Sequence, residues 1–428
     1  MKIAIIGAGF AGLASAYELV KAGHTIPVYE KESNAGGLAL GFTEKDWEWT
    51  LEQHYHHWFT NDDAILNLAK EVNFPIVVKR PKTSMYVDGH MEQLDSPLQL
   101  LTFSGLPLFD RLRMGIVFAI LFRFNPFWKI LEGIKITTVL PLLIGKKAYK
   151  TLWEPQLLNK MGIYTDQISL VWFWARIRKR TTSLAYPEGG YLTFANHLVD
   201  LLKKSGVTFH FSTETTQLAQ DSEIKVTFKL DTKEHEESFD RCIVTQHAFL
   251  FSKMTPSLPS SYKENIKRLD GLGAMNLVLR LKQPFFVDNT YWLSICESPS
   301  PIMVVVEHTN FMDKKYYNNE HLIYIGNYLS PQDPRFQLSK EDLLKLYDPL
   351  LQKLHPGYEK ELIGTELFKA PFAQPIIPLH YSKEIPSFDT PLSHIYLANM
   401  QQVYPWDRGT NYAVELGQKV ARYLLSAI

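Results

Sequence analysis

The sequence predicts a doubly wound α/β fold in which one domain is built from both ends of the chain and a second domain is inserted between them. Three observations predict it. Residues 2–30 read as a strand, a glycine turn, a helix and a second strand, which together form a βαβ unit. Short alternating apolar runs, typical of strands, return over residues 207–245. The chain closes with an apolar strand at 395–398 and a helix at 411–425, which complete the first domain.

The inserted domain is predicted to be of the α+β type. A stretch at about 98–180 is rich in leucine, phenylalanine and tryptophan at helical spacing and is interrupted by prolines, which favours a helical insertion. Strand candidates follow at 275–281, 302–307 and 322–325. The predicted boundaries are 1–80, 186–270 and 381–428 for the three parts of the first domain, 81–185 for the helical insertion, and 271–380 for the sheet of the inserted domain.

The composition is that of a globular protein and excludes several classes of function. The 428 residues are 46% apolar and 21% charged, enough for two domains with a sizeable buried site. Basic and acidic residues number 45 each, so a nucleic acid is not expected as a partner. Cys242 and Cys296 have neither disulfide nor zinc spacing, which suits a reducing compartment. Because the first strand begins almost at Met1, we expect no secretory signal and a cytoplasmic location; the oligomeric state stays open.

The opening βαβ unit carries a dinucleotide-binding motif. Gly7-Ala8-Gly9-Phe10-Ala11-Gly12 follows a strand and opens a helix. In that context Gly7 permits the tight turn, Gly9 lets the backbone approach a pyrophosphate, and Gly12 lets the helix pack closely on the strand. The helix N-terminus supplies N–H groups and a positive dipole end to the phosphates.

The acidic residue that such a motif requires is Glu30. It stands 18 positions after Gly12, at the end of the second strand, where a carboxylate accepts hydrogen bonds from the adenosine ribose and disfavours NADP. These features do not separate NAD from FAD. Gly36-Gly37, six residues beyond Glu30, would let more backbone approach the extended pyrophosphate of FAD, although such a doublet alone is only a turn.

With this Gly-Gly pair the chain resembles the flavoprotein group that contains amine oxidases, phytoene desaturases and protoporphyrinogen oxidase, many of whose bacterial members have no defined substrate. Segment 186–191, Tyr-Pro-Glu-Gly-Gly-Tyr, is similar to the family's segment before its second FAD-contacting strand, and 395–398 with 405–409 is similar to its C-terminal flavin motif. The resemblance implies a Rossmann-like FAD-binding domain and noncovalent FAD, since no cysteine lies near the C-terminal motif. It also implies that the last helix points its N-terminus at the flavin and stabilises negative charge there.

The residues assigned to FAD follow from the motifs and the resemblance together. They are Gly7, Gly9, Phe10, Ala11, Gly12, Glu30, Lys31, Gly36, Gly37, Leu38, Val207, Asp407, Arg408, Gly409, Thr410 and Asn411. One departure concerns the strand at 395–398, after which the family usually has Ala-Gly-Asp and this chain has Ala398-Asn399-Met400. Asp407 and Arg408 either take over that role or form a salt-bridged loop.

The candidate catalytic residues are His56 and His57. They lie in the densest titratable cluster of the chain, residues 51–58, where the family's chain passes the isoalloxazine ring. Imidazoles there could stack on flavin or transfer protons. Adjacent histidines on a strand point apart, so a metal site is not expected, and ordinary surface or core histidines are the alternative. Asn276, a candidate residue for the substrate side, stands where the amine oxidases have a lysine near the flavin, which weakens the case for amine oxidation.

Further residues are candidates for the substrate side. Trp153, Lys160 and Trp174 lie in an aromatic region closed by basic residues, where arginines could hold a phosphate or carboxylate. A tryptophan-rich core with a solvated basic end is the alternative. His308 and Tyr328, at the ends of strand candidates, are further possibilities.

Residues 101–150 combine apolar runs with eight basic and two acidic residues. No run reaches the roughly 18 residues of a spanning helix, so the pattern suggests a segment lying on an anionic membrane surface. A buried helical layer with snorkelling lysines is the alternative.

The expected function is therefore that of an FAD-dependent oxidoreductase of the oxidase, dehydrogenase or desaturase type, which removes a hydride or electrons from a lipophilic small molecule. We expect it in the cytoplasm or peripherally at the inner face of the membrane. Two rivals share the fold: a redox-neutral flavoenzyme that resembles UDP-galactopyranose mutase, and a non-catalytic lipid-binding protein.

Overall fold

A computed structural model describes residues 1–231 and 233–427 of the chain. The strands are β1 Ile3–Ile6, β2 Pro27–Tyr29, β3 Gly41–Phe42, β4 Leu51–Glu52, β5 Trp58–Phe59, β6 Ile76–Lys79, β7 Lys82–Val87, β8 His90–Gln93, β9 Leu184–Pro187, β10 Thr208–His210, β11 Thr213–Gln220, β12 Ile224–Leu230, β13 Lys233–Phe239, β14 Arg241–Val244, β15 Gly271–Leu281, β16 Thr290–Ile295, β17 Val304–Glu307, β18 His321–Leu329, β19 Leu362–Pro375 and β20 Ile395–Leu397. The helices are α1 Phe10–Lys21, α2 Asp63–Glu71, α3 Pro97–Thr102, α4 Leu108–Val117, α5 Ile136–Ile144, α6 Lys146–Ala148, α7 Glu154–Met161, α8 Leu170–Lys179, α9 Tyr191–Lys204, α10 Ala248–Met254, α11 Ser260–Lys267, α12 Lys340–Leu354 and α13 Thr410–Ser426.

A five-stranded parallel sheet forms the first domain, with the strand order β10-β2-β1-β14-β20. Its strands come from the beginning, the middle and the end of the chain, as the sequence predicts. Because β1 has β2 on one side and β14 on the other, the strand order reverses at β1, and a crevice opens at the carboxyl ends of the strands there. The predicted doubly wound α/β fold with an inserted domain is confirmed.

Two glycines let helices approach this sheet and each other. A Cβ on Gly12 would lie 2.0 Å from the carbonyl oxygen of Gly7, so α1 can pack on the turn after β1 only without a side chain there. A Cβ on Gly417 would lie 2.2 Å from the carbonyl oxygen of Ala11, and Ser15 Oγ donates to the Gly417 carbonyl at 3.1 Å. The last helix is thereby held against the first.

The inserted domain contains a seven-stranded mixed sheet in the order β19-β15-β18-β17-β16-β7-β8. Its inner strand β15 alternates: Leu277 and Leu279 pack toward α12, while Val278 belongs to the core shared with the first domain. The segment 81–185, predicted to be helical, also supplies β7 and β8. These two strands form a hairpin around Asp88-Gly89, both with positive φ, a turn sequence that signals a hairpin.

The remaining part of 81–185 is a layer of helices. Helix α4 continues directly into π-helical turns at Phe118–Phe124, and further π-helical turns at Tyr149–Trp153 lead into α7. The inner side of this layer packs on α8. Among the residues that the structure describes, no helix is long and apolar enough to cross a bilayer.

Candidate active site

The glycine turn after β1 forms a cradle of backbone atoms, which we call the nucleotide cradle (Gly7–Gly12, Glu30 and Gly36–Gly37). Gly7 has a φ of +106°, which favours glycine. Gly9 and Gly37 face each other so closely that a Cβ on Gly37 would lie 3.1 Å from the Gly9 Cα. Helix α1 begins after Gly9 without a side-chain cap, so its first N–H groups are available to a ligand.

Glu30 lies at the end of β2, where the motif requires its carboxylate. Its two oxygens accept hydrogen bonds from the backbone N–H of Ala8 at 2.7 Å and of Glu32 at 3.0 Å. Burial raises the pKa of this carboxyl group, against the effect of the two N–H donors. The neighbouring Lys31 is exposed and pairs with Glu32 at 3.3 Å.

The other residues assigned to this region have packing roles that the structure makes visible. Phe10 is buried and stacks on Phe194 with ring centroids 5.8 Å apart. Leu38 lies in a short 3₁₀ turn against the core. Val207 is buried just before β10, whose His210 carbonyl accepts the Glu30 N–H at 2.9 Å. The backbone of these segments therefore positions Glu30.

A cavity of about 260 Å³ lies between the first domain, the helical layer and the seven-stranded sheet. We call it the central cavity. Its wall includes Tyr55, His56, His57, Trp153, Lys160, Trp172, Phe173, Arg176, Arg180, Tyr291, Trp292, Tyr328, Asp407, Arg408, Gly409, Thr410 and Asn411. Six separate parts of the chain contribute these side chains, and most of them are aromatic or basic.

The N-terminus of the 17-residue helix α13 closes one side of the central cavity. The helix begins after Gly409 without a side-chain cap, and two of its first residues are fixed by other contacts. Thr410 Oγ1 accepts from Trp58 Nε1 at 2.9 Å, and Asn411 Oδ1 accepts from the Ile65 N–H at 3.1 Å. A helix N-terminus so placed stabilises negative charge on a ligand.

His56 and His57 both line the central cavity although they are adjacent in sequence. The His54 carbonyl accepts from His56 Nδ1 at 2.6 Å, so the proton of neutral His56 is on Nδ1 and its Nε2 is an acceptor. His57 Nδ1 is hydrogen-bonded to the Tyr291 hydroxyl at 3.0 Å. Burial lowers the pKa of His56 to about 4 and that of His57 to about 3, so both imidazoles are neutral at pH 7.

Three of the residues predicted for the substrate side lie outside the wall of the central cavity. The Asn276 amide donates to His54 Nδ1 at 2.5 Å, which places it behind the histidines. His308 is buried and its Nε2 is hydrogen-bonded to the Tyr317 hydroxyl at 2.8 Å. Trp174 stacks on Trp406 and donates to the Asn125 carbonyl at 2.9 Å. Trp153, Lys160 and Tyr328 do line the cavity.

The departure after β20 has a structural explanation. Asn399 caps a 3₁₀ turn in a reciprocal capping box with Gln402, and its amide donates to the Gln246 carbonyl at 3.0 Å. Asp407 instead lines the cavity, where it pairs with Arg176 at 3.1 Å.

Glu52 belongs to the titratable cluster at 51–58, and its carboxylate is fully buried. It accepts from the Tyr186 hydroxyl and from the Tyr191 N–H, each at 2.9 Å. Complete burial raises its pKa to about 7. No local pattern in the sequence signals this role, because both partners lie more than 130 positions away along the chain. Within the described residues there is no cluster of metal-ligating side chains.

The nucleotide cradle, and the central cavity with the N-terminus of α13 at one side, define a nucleotide-cofactor enzyme of the α/β class. The chain belongs to the family of flavin-containing amine oxidoreductases, whose model matches residues 10–425. It is thus a flavin-dependent oxidoreductase, and the resemblance noted from its motifs is confirmed.

Individual relatives agree with this family. A probable zeta-carotene desaturase of Synechococcus elongatus is 31% identical over 113 residues, which are 26% of this chain and 23% of that protein. The chain therefore matches only about a quarter of the length of that curated relative. An oxidoreductase from Methanosarcina mazei has a TM-score of 0.75 at 18% identity, covering 100% of both chains. Reduced UDP-galactopyranose mutase has a TM-score of 0.76 at 15% identity, covering 100% of this chain and 96% of that one. At such identities these two structures show the shared fold.

Proposed function

We propose that the flavin is noncovalent FAD, with its adenosine diphosphate part in the nucleotide cradle and its ring in the central cavity. The close approach of Gly9 and Gly37 leaves backbone rather than side chains for a pyrophosphate. Glu30 supplies the carboxylate for ribose hydroxyls, and it would repel the 2′-phosphate of NADP. Neither Cys242 nor Cys296 is among the cavity-lining residues, so a thioether to the ring is not expected.

The reaction that the cavity supports best is removal of a hydride from a lipophilic substrate. The single observation that carries this proposal is the set of aromatic side chains in the wall of the cavity, Trp153, Trp172, Phe173, Tyr291 and Trp292. Such a wall binds apolar surface and excludes water. Bound flavin would supply the hydride acceptor.

The chain's own residues would orient the substrate and stabilise charge. The N–H groups at the start of α13 stabilise negative charge that develops beside them. His56 keeps its proton on Nδ1 through the His54 carbonyl, which leaves Nε2 to accept a hydrogen bond or a proton. Its low pKa makes it a weak base, suited to holding a hydrogen-bond donor of the substrate in place.

We also propose that the protein contacts a membrane peripherally, at the cytoplasmic face. Residues Leu108, Leu112, Ile116, Ile120 and Phe124 recur every four positions along α4 and its π-helical continuation, and they are between 45% and 73% exposed. We call them the apolar stripe. Phe127 and Ile130 extend it, also exposed. A row of large exposed apolar residues of this length is unusual for a surface in water.

The charges around the apolar stripe indicate what would cover it. Arg123, Lys129, Lys146, Lys147 and Lys150 are all exposed in the same helical layer. Basic residues beside an apolar face fit an anionic bilayer. The opposite side of the same helix packs on the cavity wall: the Phe118 ring lies 5.4 Å from Trp153 and 5.6 Å from Phe173. A docked membrane would therefore lie one helix away from the cavity, which supports delivery of a lipophilic substrate.

The cofactor proposal is tested by the visible absorption spectrum of the purified protein and by the mass of the chromophore that denaturation releases. We expect a flavin spectrum and free FAD in the supernatant. A chromophore that stays with the denatured chain would contradict noncovalent binding, and a colourless protein that takes up no added FAD would contradict the assignment. Turnover without net oxidation of the product, dependent on prior reduction, would favour mutase-like chemistry.

The membrane proposal is tested by co-sedimentation with vesicles of anionic or zwitterionic lipid. The double substitution Ile116→Glu and Ile120→Glu should abolish binding to anionic vesicles, because it places two charges on the apolar stripe. A matched control is Ile163→Glu with Val287→Glu, which changes two exposed apolar residues outside the stripe. Equal binding by the stripe variant, or a stable dimer that the stripe variant dissolves, would overturn the proposal.

A further inference from the structure

One end of the central cavity collects basic side chains around two aromatic rings. Lys160 Nζ lies 4.5 Å from the centre of the Tyr328 ring, and the Arg408 guanidinium carbon lies 5.0 Å from the same ring. Lys160 Nζ is also 5.8 Å from the Trp172 ring, and the Arg176 guanidinium carbon is 4.9 Å from it. Three cations thus surround two rings. We call Lys160, Arg176 and Arg408 the cation cluster.

A single carboxylate faces the cation cluster, and its oxygens are already engaged. Asp407 Oδ2 pairs with Arg176 Nη1 at 3.1 Å, while Oδ1 accepts from the Arg408 N–H at 3.0 Å and from Gln374 Nε2 at 3.4 Å. Asp407 is also the one carboxylate, within the described part of the chain, that favours the charged form of Lys160. The cluster therefore keeps an excess of positive charge.

Hydrogen-bond donors in the same place have no acceptor. Nε of Arg408 and Nε1 of Trp172 are both buried without a partner among the described residues. The Arg408 side chain is otherwise held by Tyr328, to whose hydroxyl its Nη2 donates. Burial and the neighbouring Arg176 and Arg408 lower the pKa of Lys160 well below its usual range. Buried donors without acceptors, and cations crowded together in a partly enclosed cavity, are unfavourable unless an anion joins them.

We propose that the cation cluster binds an oxyanion, a carboxylate or a phosphate, carried by an otherwise apolar substrate. The proposal rests on the function proposed above and narrows its substrate class to an amphipathic acid. The oxyanion would accept from Lys160 and the unpaired donors, while the apolar body lies along Trp153 and Phe173. Guanidinium groups and an ammonium are the donors that such oxyanions prefer.

The phosphates of the dinucleotide are not the anion that we expect at the cation cluster. None of the glycines of the nucleotide cradle is among the described residues that line the central cavity, so the cradle and the cation cluster are different places. Lys160 and Arg176 come from α7 and α8 of the helical layer, and Tyr328 comes from β18 of the inserted sheet. These elements belong to the substrate side of the cavity.

The test measures binding to the flavin-loaded protein by calorimetry, without vesicles, for three probes of equal chain length: dodecanoate, dodecyl phosphate and dodecanol. We expect both acids to bind at least about tenfold more tightly than the alcohol, since a partly buried charge pair strengthens binding. Tighter dodecanoate identifies a carboxylate and tighter dodecyl phosphate identifies a phosphate. Equal affinity of the acids and the alcohol would overturn the inference.

Substitutions at Lys160 test whether the acids bind at the cation cluster. Lys160→Met should weaken binding of the better acid about tenfold and leave dodecanol unchanged, whereas Lys160→Arg should retain most of the affinity. Lys267→Met, at an exposed lysine on α11, is the matched control and should change nothing. Undiminished acid binding in Lys160→Met would contradict the site. Flavin content, measured by visible absorbance of the same samples, tests the proposed function separately. A protein that holds no flavin would contradict the proposed function, whether or not it binds the acids.

Discussion

The nucleotide cradle and the central cavity are built by opposite means. The cradle uses mainly backbone atoms of residues that all lie within positions 7–37, and its key feature is the absence of side chains at Gly9, Gly12 and Gly37. The cavity uses large side chains from six separate parts of the chain. A site made of backbone atoms has no room for an added side chain, but it depends little on the elements that pack around it. A side-chain site depends on every element that packs behind it, so its chemistry can change without loss of the fold.

The largest effect should come from adding one methyl group to the cradle. In Gly12→Ala the new Cβ would lie 2.0 Å from the Gly7 carbonyl oxygen, so α1 must move away from β1. We expect a loss of several kcal/mol of unfolding free energy and of all bound flavin, of the order seen for severe overpacking. Thermal unfolding and the visible spectrum check both.

The control for this prediction is another helical glycine. In Gly115→Ala the Cβ would meet only Leu100 Cδ2 at 3.5 Å, an ordinary contact. That variant should be as stable as the parent or about 1 kcal/mol more stable, because alanine favours a helix. A stable, yellow Gly12→Ala protein would show that the cradle is not sterically closed.

The second effect concerns Glu52, which is buried on β4 and accepts hydrogen bonds from Tyr186 and Tyr191. Burial raises its pKa from 4.5 to about 7, so the folded protein binds a proton that the unfolded chain releases between these values. The contribution of Glu52 to stability is therefore full below pH 4.5 and is lost as pH rises to 7, by about 3 kcal/mol in all.

Glu52→Gln keeps an acceptor for the Tyr186 hydroxyl and the Tyr191 N–H but has no proton to lose. The difference in unfolding free energy between variant and parent should grow by about 3 kcal/mol in the variant's favour from pH 4.5 to pH 7, as chemical denaturation at each pH would measure. The buried histidines give the opposite slope, but they are common to both proteins and cancel in the difference. A flat difference would mean that Glu52 titrates normally.

The third prediction tests the cradle alone, through the ribose of FAD that Glu30 is proposed to hold. Glu30→Ala should weaken FAD retention about tenfold to a hundredfold through loss of the hydrogen bonds that a charged acceptor offers the ribose, and fluorimetric titration of the stripped protein would measure it. Glu32→Ala, at an exposed neighbour whose carboxylate is not in the motif, is the control. Full retention by Glu30→Ala at low flavin concentration would contradict the placement of the ribose.

The same contrast explains what could be read from the sequence. The cradle was predictable because the turn, helix start and acidic residue are close in sequence, and the strands within 207–245 were predictable because apolar residues alternate there. Strands β7 and β8 were missed because the aromatic and leucine content of the region beyond them dominated the pattern, although Asp88-Gly89 marked their turn.

For the cavity, the sequence indicates which residue types are present but not which way their side chains point. Trp153 and Trp174 belong to the same aromatic region, yet only Trp153 lines the cavity, while Trp174 packs against Trp406. Asn276 lies on the inner strand β15, where alternate side chains face opposite sides of the sheet. Its side chain contacts His54 and does not line the cavity. Glu52 depends on partners more than 130 positions away, which no local pattern reveals.

The smallest effect should come from a single atom of the cavity wall. Tyr291→Phe removes the hydroxyl that is hydrogen-bonded to His57 Nδ1 at 3.0 Å while keeping the ring that packs on Phe311. The cost in stability should be about 1 kcal/mol, the usual net value of such a bond, and flavin content should not change. If His57 helps to fix the substrate, the variant should raise KM or lower kcat while the spectrum of bound flavin stays that of the parent. Loss of flavin in this variant would show that the cavity wall also determines flavin binding. The cradle and the cavity would then not be independent sites.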